Sequence, residues 1–279
     1  MPIDFEVAGQ TDIGKKRQIN QDAFLIDEEK GLFIVADGLG GHRAGEKASF
    51  LATQTVQTFF KDNFEENNSD ETDETDKNLS SLANTLQHSI EKANQLVHLK
   101  ALNFSQYNGM GTTIAAVCLK GKNLISANVG DSPVFLIQKG KVYPLSETHT
   151  VEEEHTIPES SQLNTFGKNY WKMLTRAIGI EEKVKPYLCE IPVYEGDAFV
   201  LCSDGLSKAV SFEEIAKIVK RYSAKDACSL FIELANTRGG KDNITVIVIK
   251  IKKSRLSWFN LVYWASKLVK TLMPKIEHK

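Results

Sequence analysis

Leu32-Phe-Ile-Val-Ala-Asp-Gly-Leu-Gly-Gly-His-Arg-Ala-Gly-Glu46 opens as a β-rich apolar run, breaks at Asp37-Gly38 and passes into a helical pattern. From residue 44 to 60 the apolar positions Ala44, Ala48, Leu51, Ala52, Val56, Phe59 and Phe60 recur at helical spacing. Ahead of this stretch, 5–11 and 23–26 read as short strands. Behind it, Leu82, Leu86, Ile90, Ala93, Val97 and Ala101 predict a second helix over 79–102. Strand signals return at 112–119, 123–128, 134–138 and 141–145, with Gln-Lys-Gly-Lys at 138–141 as a hairpin turn. Two more strands (187–191 and 198–202), two helices (211–221 and 224–236) and a β-branched run over 244–251 complete the order. Strands, a helix pair, strands, a second helix pair and a last strand disfavour alternating βαβ units. They predict an α+β domain of antiparallel sheets with helices packed outside.

Three segments stay outside that pattern. Residues 62–76 are acidic and rich in Asn, Ser and Thr, too polar to pack, and read as an exposed loop. Residues 146–170 are irregular and polar, long enough for a functional flap. Residues 252–279 place Trp258, Leu261, Val262, Ala265, Leu268, Val269 and Leu272 on one helical face. Seven Lys and Arg flank that face against Glu277 alone. Such a basic amphipathic tail suits an anionic membrane surface or a protein partner, and is too interrupted to span a bilayer.

A net charge of −2 gives no reason to expect nucleic acid as a partner. Cys118, Cys189, Cys202 and Cys228 form no CxxC pair, so reduced, inert thiols are expected rather than zinc or disulfides. The first residues lack a basic stretch followed by an apolar core, which argues against a secretory signal and for a cytoplasmic setting.

Four aspartates stand at strand ends beside or near glycine: Asp37, Asp131, Asp204 and Asp242. One Asp-Gly alone would be a tight turn. Four in one domain, each delivered by an apolar strand to a sheet rim, point instead to a shared site. Carboxylates without His or Cys partners suit hard cations such as Mg²⁺ or Mn²⁺. Gln21 and Asp22 add oxygen atoms near the first strands, and Arg17 offers a planar fork for a phosphate.

Seven landmarks make the chain resemble the type 2C (PPM) metal-dependent serine/threonine protein phosphatases, bacterial branch. They are Arg17-Gln-Ile-Asn-Gln-Asp22, Val35-Ala-Asp-Gly-Leu-Gly-Gly-His-Arg-Ala-Gly-Glu46, Gly111-Thr-Thr113, Gly130-Asp-Ser132, Leu174-Thr-Arg-Ala-Ile-Gly179, Leu201-Cys-Ser-Asp-Gly-Leu206 and Gly239-Gly-Lys-Asp-Asn-Ile-Thr245. The resemblance implies a sandwich of two antiparallel β-sheets flanked by pairs of α-helices over 1–251, followed by the tail. It implies two Mn²⁺ or Mg²⁺ ions, with Asp37 bridging both and the Gly38 carbonyl on one. Asp204 and Asp242 hold the other, Gln21 and Asp22 act through waters, and Arg17 grips the phosphate. The expected reaction is hydrolysis of phosphoserine and phosphothreonine in proteins by a metal-bridging hydroxide, opposite a cognate serine/threonine kinase.

Several positions depart from the family pattern. Pro133 replaces the Arg usual after Gly-Asp-Ser, Thr148-His149-Thr150 replaces Asp-His-Ser, and Lys208 stands where an acidic residue is usual. The family's third, weaker metal uses positions equivalent to Asp131, Asp204 and that acid, so an ammonium at 208 predicts a weak or absent third site. His42 reads as structural, at a loop-to-helix hinge, rather than as a general acid. These departures keep open a silent phosphatase-like scaffold that binds phosphoproteins. A two-metal nuclease fits the carboxylates only generically.

Overall fold

The computed structural model describes residues 3–40, 44–64, 80–150 and 173–252. His42, the acidic segment beyond Phe64, most of 146–170 and the tail from 253 onward lie outside the described residues.

The strands are β1 (Phe5–Asp12), β2 (Asp22–Asp27), β3 (Leu32–Leu39), β4 (Gly111–Thr112), β5 (Ile114–Lys120), β6 (Asn123–Val129), β7 (Val134–Gln138), β8 (Lys141–Pro144), β9 (Tyr187–Pro192), β10 (Ala198–Cys202) and β11 (Ile244–Ile251). The helices are α1 (Ala44–Asn63), α2 (Ser81–Asn103), a single turn α3 (Asp204–Ser207), α4 (Phe212–Arg221) and α5 (Ala224–Thr237). One sheet runs β1-β11-β10-β7-β8, the other β2-β3-β5-β6-β9, with β4 paired to β3. Every strand pair is antiparallel, as the element order requires.

Strand alternation builds the layers. On β3, Leu32 and Ile34 meet the α1–α2 side, where Ala48, Val56, Leu86 and Ile90 pack. Phe33 and Val35 point the other way, into the space between the sheets, against Phe199, Leu201, Ile247 and Ile249. On β11, Val246 and Val248 face α4 and α5 through Ile215, Val219 and Phe231. Strands covered on both faces read as unbroken apolar runs, which is why 244–251 carries so little polar alternation. The result is α1–α2, sheet, sheet, α4–α5, the layering expected from the sequence.

Local chemistry sets the boundaries. Ser80 caps α2 by accepting from the Ala83 N–H at 3.2 Å. Lys139 and Gly140 have φ of 51° and 78°, the paired positive angles of a tight hairpin turn. Two boundaries differ from the sequence reading. The strand expected over 112–119 is split at Thr113, whose N–H turns to the Asp37 carbonyl at 2.8 Å. The turn after Cys202 is helical, because Lys208 N–H closes onto the Asp204 carbonyl at 2.9 Å. Cys118, Cys202 and Cys228 are buried free thiols. Burial pushes Cys118 and Cys228 up to about 12 and Cys202 higher still. Among the described residues no helix is long and apolar enough to cross a membrane.

Candidate active site

Strand register delivers the carboxylates to one rim. Asp22 opens β2 directly opposite Asp37 near the end of β3. Directly opposed side chains share a sheet face about 5 Å apart, where like charges repel. Asp131 follows the end of β6, Asp204 follows β10, and Asp242 precedes β11. Burial is the first reason that the Asp37 carboxyl lies well above its usual range, with Asp22, Asp204, Asp131 and Asp242 pushing the same way. Asp22 is raised to about 6, again by burial first, although the hydroxyls of Thr245 and Ser203 oppose the shift. Asp131 is raised by burial and then by Asp204, against Lys208. Each of these carboxylates feels another, so the fold gathers five negative groups around one point.

The protein balances part of that charge itself. Arg17 donates to Asp242 Oδ2 at 2.8 Å, and this bond leads the effects that raise the guanidinium above its ordinary value. Lys208 reaches Asp204 in a short ion pair and Asp131 at 3.5 Å. Burial works hardest against its charge, yet Asp204 and Asp131 together outweigh it and raise the ammonium's pKa. Asp22 Oδ2 accepts from Ser203 Oγ at 2.8 Å and Thr245 Oγ1 at 2.7 Å. Asp22 Oδ1 and Asp204 Oδ1 are buried with no hydrogen-bond partner. Unpaired buried carboxylate oxygens are costly, and the donors are all oxygen. Among the described residues no three acidic, His or Cys side chains already form a closed metal shell. The cations and hydroxyls of the chain occupy part of the carboxylate valence, and the two unpartnered oxygens are what a hard divalent cation would satisfy.

Backbone close to these groups is fixed by glycine and asparagine. A Cβ at Gly38 would fall 2.3 Å from the Gly45 carbonyl oxygen and 2.6 Å from that of Gln21. Gly38 N–H donates to that Gln21 oxygen at 3.2 Å. The Gln21 side-chain amide donates to the Gly40 carbonyl at 3.4 Å. Asn243 belongs to the Gly239–Thr245 landmark, and the structure adds the contacts that the sequence could not give it. Its Oδ1 accepts from Gln21 N–H at 2.9 Å, and its Nδ2 donates to Ile13 and Ile19 carbonyls at 2.9 and 3.1 Å. It thereby ties the loop carrying Arg17 to the loop carrying Asp242. Ser203 and Thr245 also lie inside quoted landmarks without a role read for them, though a buried Thr inside Ile244-Thr-Val-Ile is a visible interruption.

Residues 10–242 match the family model described as protein phosphatase 2C. The chain belongs to the protein phosphatase 2C family. Within that family it is 33% identical over 249 residues to a serine/threonine phosphatase, stp, of Listeria innocua, covering 86% of this chain and 94% of the relative. The Streptococcus agalactiae serine/threonine phosphatase superposes with a TM-score of 0.73 at 33% identity, covering 89% of this chain and 100% of that one. The catalytic domain of PstP, solved in complex with two manganese ions, gives 0.71 at 28% identity, covering 89% and 99%. As a member of this family the chain is a protein phosphatase, and its two antiparallel sheets with flanking helices are the family's fold.

Proposed function

We propose that this rim binds two divalent cations, Mn²⁺ or Mg²⁺, and hydrolyses phosphoserine and phosphothreonine in proteins. The observation that carries the reading is the opposed pair Asp22 and Asp37, with Asp131, Asp204 and Asp242 around it and two buried carboxylate oxygens unpartnered. Asp37, the Gly38 carbonyl, Asp204 and Asp242 are the groups that would hold the ions, with Asp22 and Gln21 shaping the cradle. When bound, the cations supply a water of lowered pKa and screen the phosphate oxygens. Ser203 and Thr245 orient Asp22, so its remaining oxygen faces one way only. Arg17, half exposed and anchored on Asp242, is placed to take two phosphate oxygens through its planar fork. Lys208 fills the place between Asp131 and Asp204, so a third ion there is weak or absent.

The manganese ions of the PstP domain and the names of the relatives support this assignment. Residues 1–251 are the catalytic domain, and the basic tail is a separate element serving a membrane surface or a protein partner. The enzyme acts in the cytoplasm, opposite a serine/threonine kinase. The test is phosphate release from a phosphothreonine peptide with Mn²⁺, with Mg²⁺ and with chelator, beside Asp204→Asn. Turnover that needs the metal and is lost in the variant supports the reading. A folded protein that binds Mn²⁺ yet turns over no phosphopeptide would leave a phosphoprotein-binding scaffold.

A further inference from the structure

An open groove of about 940 Å³ leaves the carboxylate rim beside β7 and β8. Its near wall is Asp131 and Lys208, which belong to the rim itself. Pro133, Phe135, Pro144 and Phe212 form an apolar strip along the groove, and the rest of its lining is polar, from Ser146 through Thr150 with Arg176 and Ser207. The chemistry at the rim uses none of the four strip residues. Phe135 is buried, whereas Phe212 leaves 49% of its surface in solvent. Their rings stand 5.2 Å apart at 67°, edge to face, an arrangement that aromatic pairs favour.

The backbone that carries Phe212 is braced. Phe212 is the first residue of α4, directly after the cap Ser211, and that cap is a reciprocal box with Glu214. Arg238 pairs with both Glu214 oxygens and donates to the Ala209 carbonyl at 2.6 Å, bracing the same turn. A half-exposed ring on a braced helix start presents an apolar face with little backbone ordering left to pay for on binding. Covering Phe135 explains one edge of the ring. It does not explain why the other edge opens onto a groove continuous with the rim.

We propose that this groove binds a large apolar side chain of the phosphoprotein, flanking the phosphoresidue held at the rim. The proposal rests on the phosphatase reading above. The occupant follows from continuity, since Asp131 and Lys208 wall both the groove and the rim. An extended chain advances about 3.3–3.6 Å per residue, so a residue only a few places away reaches Phe212. Along that strip the two prolines add ring faces and no N–H groups, so an apolar side chain fits the strip better than a hydrogen-bonding one.

The full chain with Mn²⁺ is assayed on phosphothreonine peptides carrying Phe, Leu, Ala or Glu at each of about three positions on either side. Each kcat/KM is divided by that for p-nitrophenyl phosphate measured on the same preparation. At one flanking position Phe or Leu should exceed Ala by roughly tenfold, mainly through KM. Phe212→Ala should shrink that preference to about twofold or less, and Phe212→Leu should keep most of it. If Phe212→Ala does not fold, Phe212→Gln replaces it, because Gln is tolerated in an exposed first turn. A flat peptide panel in an enzyme active on p-nitrophenyl phosphate overturns the groove alone, as does a preference unchanged in the variant. A wild-type chain inactive on p-nitrophenyl phosphate and every peptide overturns the catalytic reading and the groove together.

Discussion

Asp22 and Asp37 face each other across the β2–β3 ladder, two carboxylates at one register position on a largely buried rim. Opposed like charges weaken a strand pair, and burial compounds the penalty by stripping water from both. The fold therefore stores unfavourable electrostatics at this rim, and under the proposed function metal binding would relieve it.

Asp37→Asn should follow from this directly. Removing one of the repelling charges should raise the metal-free melting temperature by a few degrees, about 2–4 °C per kcal/mol for a domain of this size. The same change should lower phosphatase activity by about 100-fold or more, beyond the loss typical of groups that only support a metal ligand. The parent should gain stability when Mn²⁺ is added, by about 2.7 kcal/mol at 100 times the dissociation constant, and the variant far less. Thermal melts with Mn²⁺ and with chelator decide it. A variant that melts lower without metal would contradict the stored repulsion.

Lys208 makes a second prediction. Its ammonium pairs with Asp204 and lies 3.5 Å from Asp131, the position from which the proposed function excludes a third cation. Lys208→Ala should leave those two carboxylates uncompensated and open to a divalent ion. Mn²⁺ titration followed by electron paramagnetic resonance should then show one more bound ion per chain than the parent. Equal stoichiometry in parent and variant would mean that the lysine is not what closes the position.

These residues also show what the sequence discloses and what it conceals. That Asp37, Asp204 and Asp242 reach one rim was legible because each ends or begins an apolar strand beside or near glycine. The layers were legible because β3 and β11 are apolar on both faces, as only doubly covered strands can be. Lys208 was visible as a departure, but its reach to Asp131, 77 residues away, is a product of tertiary folding. The helical turn α3 was not legible, since Asp-Gly-Leu-Ser is too short to show any period. Asn243 stands inside the Gly239–Thr245 landmark, but no role for it could be read there. Its importance lies in three bonds to distant backbone, which no local pattern encodes.

Asn243→Ala tests that tie. The side chain is almost fully buried and holds the backbone of Ile13, Ile19 and Gln21. Its loss leaves two carbonyls and one N–H without their partner. At about 1 kcal/mol for each bond, a destabilisation of about 2–4 kcal/mol is expected in urea titrations. The loop of Arg17 loses one of its ties to the loop of Asp242, beside the Arg17–Asp242 ion pair and the Lys15 and Lys16 N–H bonds to the Gly240 carbonyl. KM for a phosphopeptide should therefore rise in the folded variant. A drop in stability with KM unchanged would confine Asn243 to a structural role.

Glu214 supplies the pH prediction. Arg238 is the first cause holding its carboxyl down at about 2, below the ordinary 4.5, with the Ser211 N–H helping. A folded-state pKa below the unfolded one means stability that is present above about pH 4.5. That contribution is lost as pH falls from about 4.5 toward 2, where the carboxylate takes up its proton in the folded protein too. Glu214→Gln should therefore lower the urea midpoint near neutral pH, and the gap between parent and variant should close steadily below about pH 4.5. The groups are exposed, so added salt should also narrow the gap at neutral pH. Urea titrations of both proteins between pH 3 and 7 read this out. A gap that persists unchanged to pH 3 would show that Glu214 acts through packing or capping geometry instead of through its charge on Arg238.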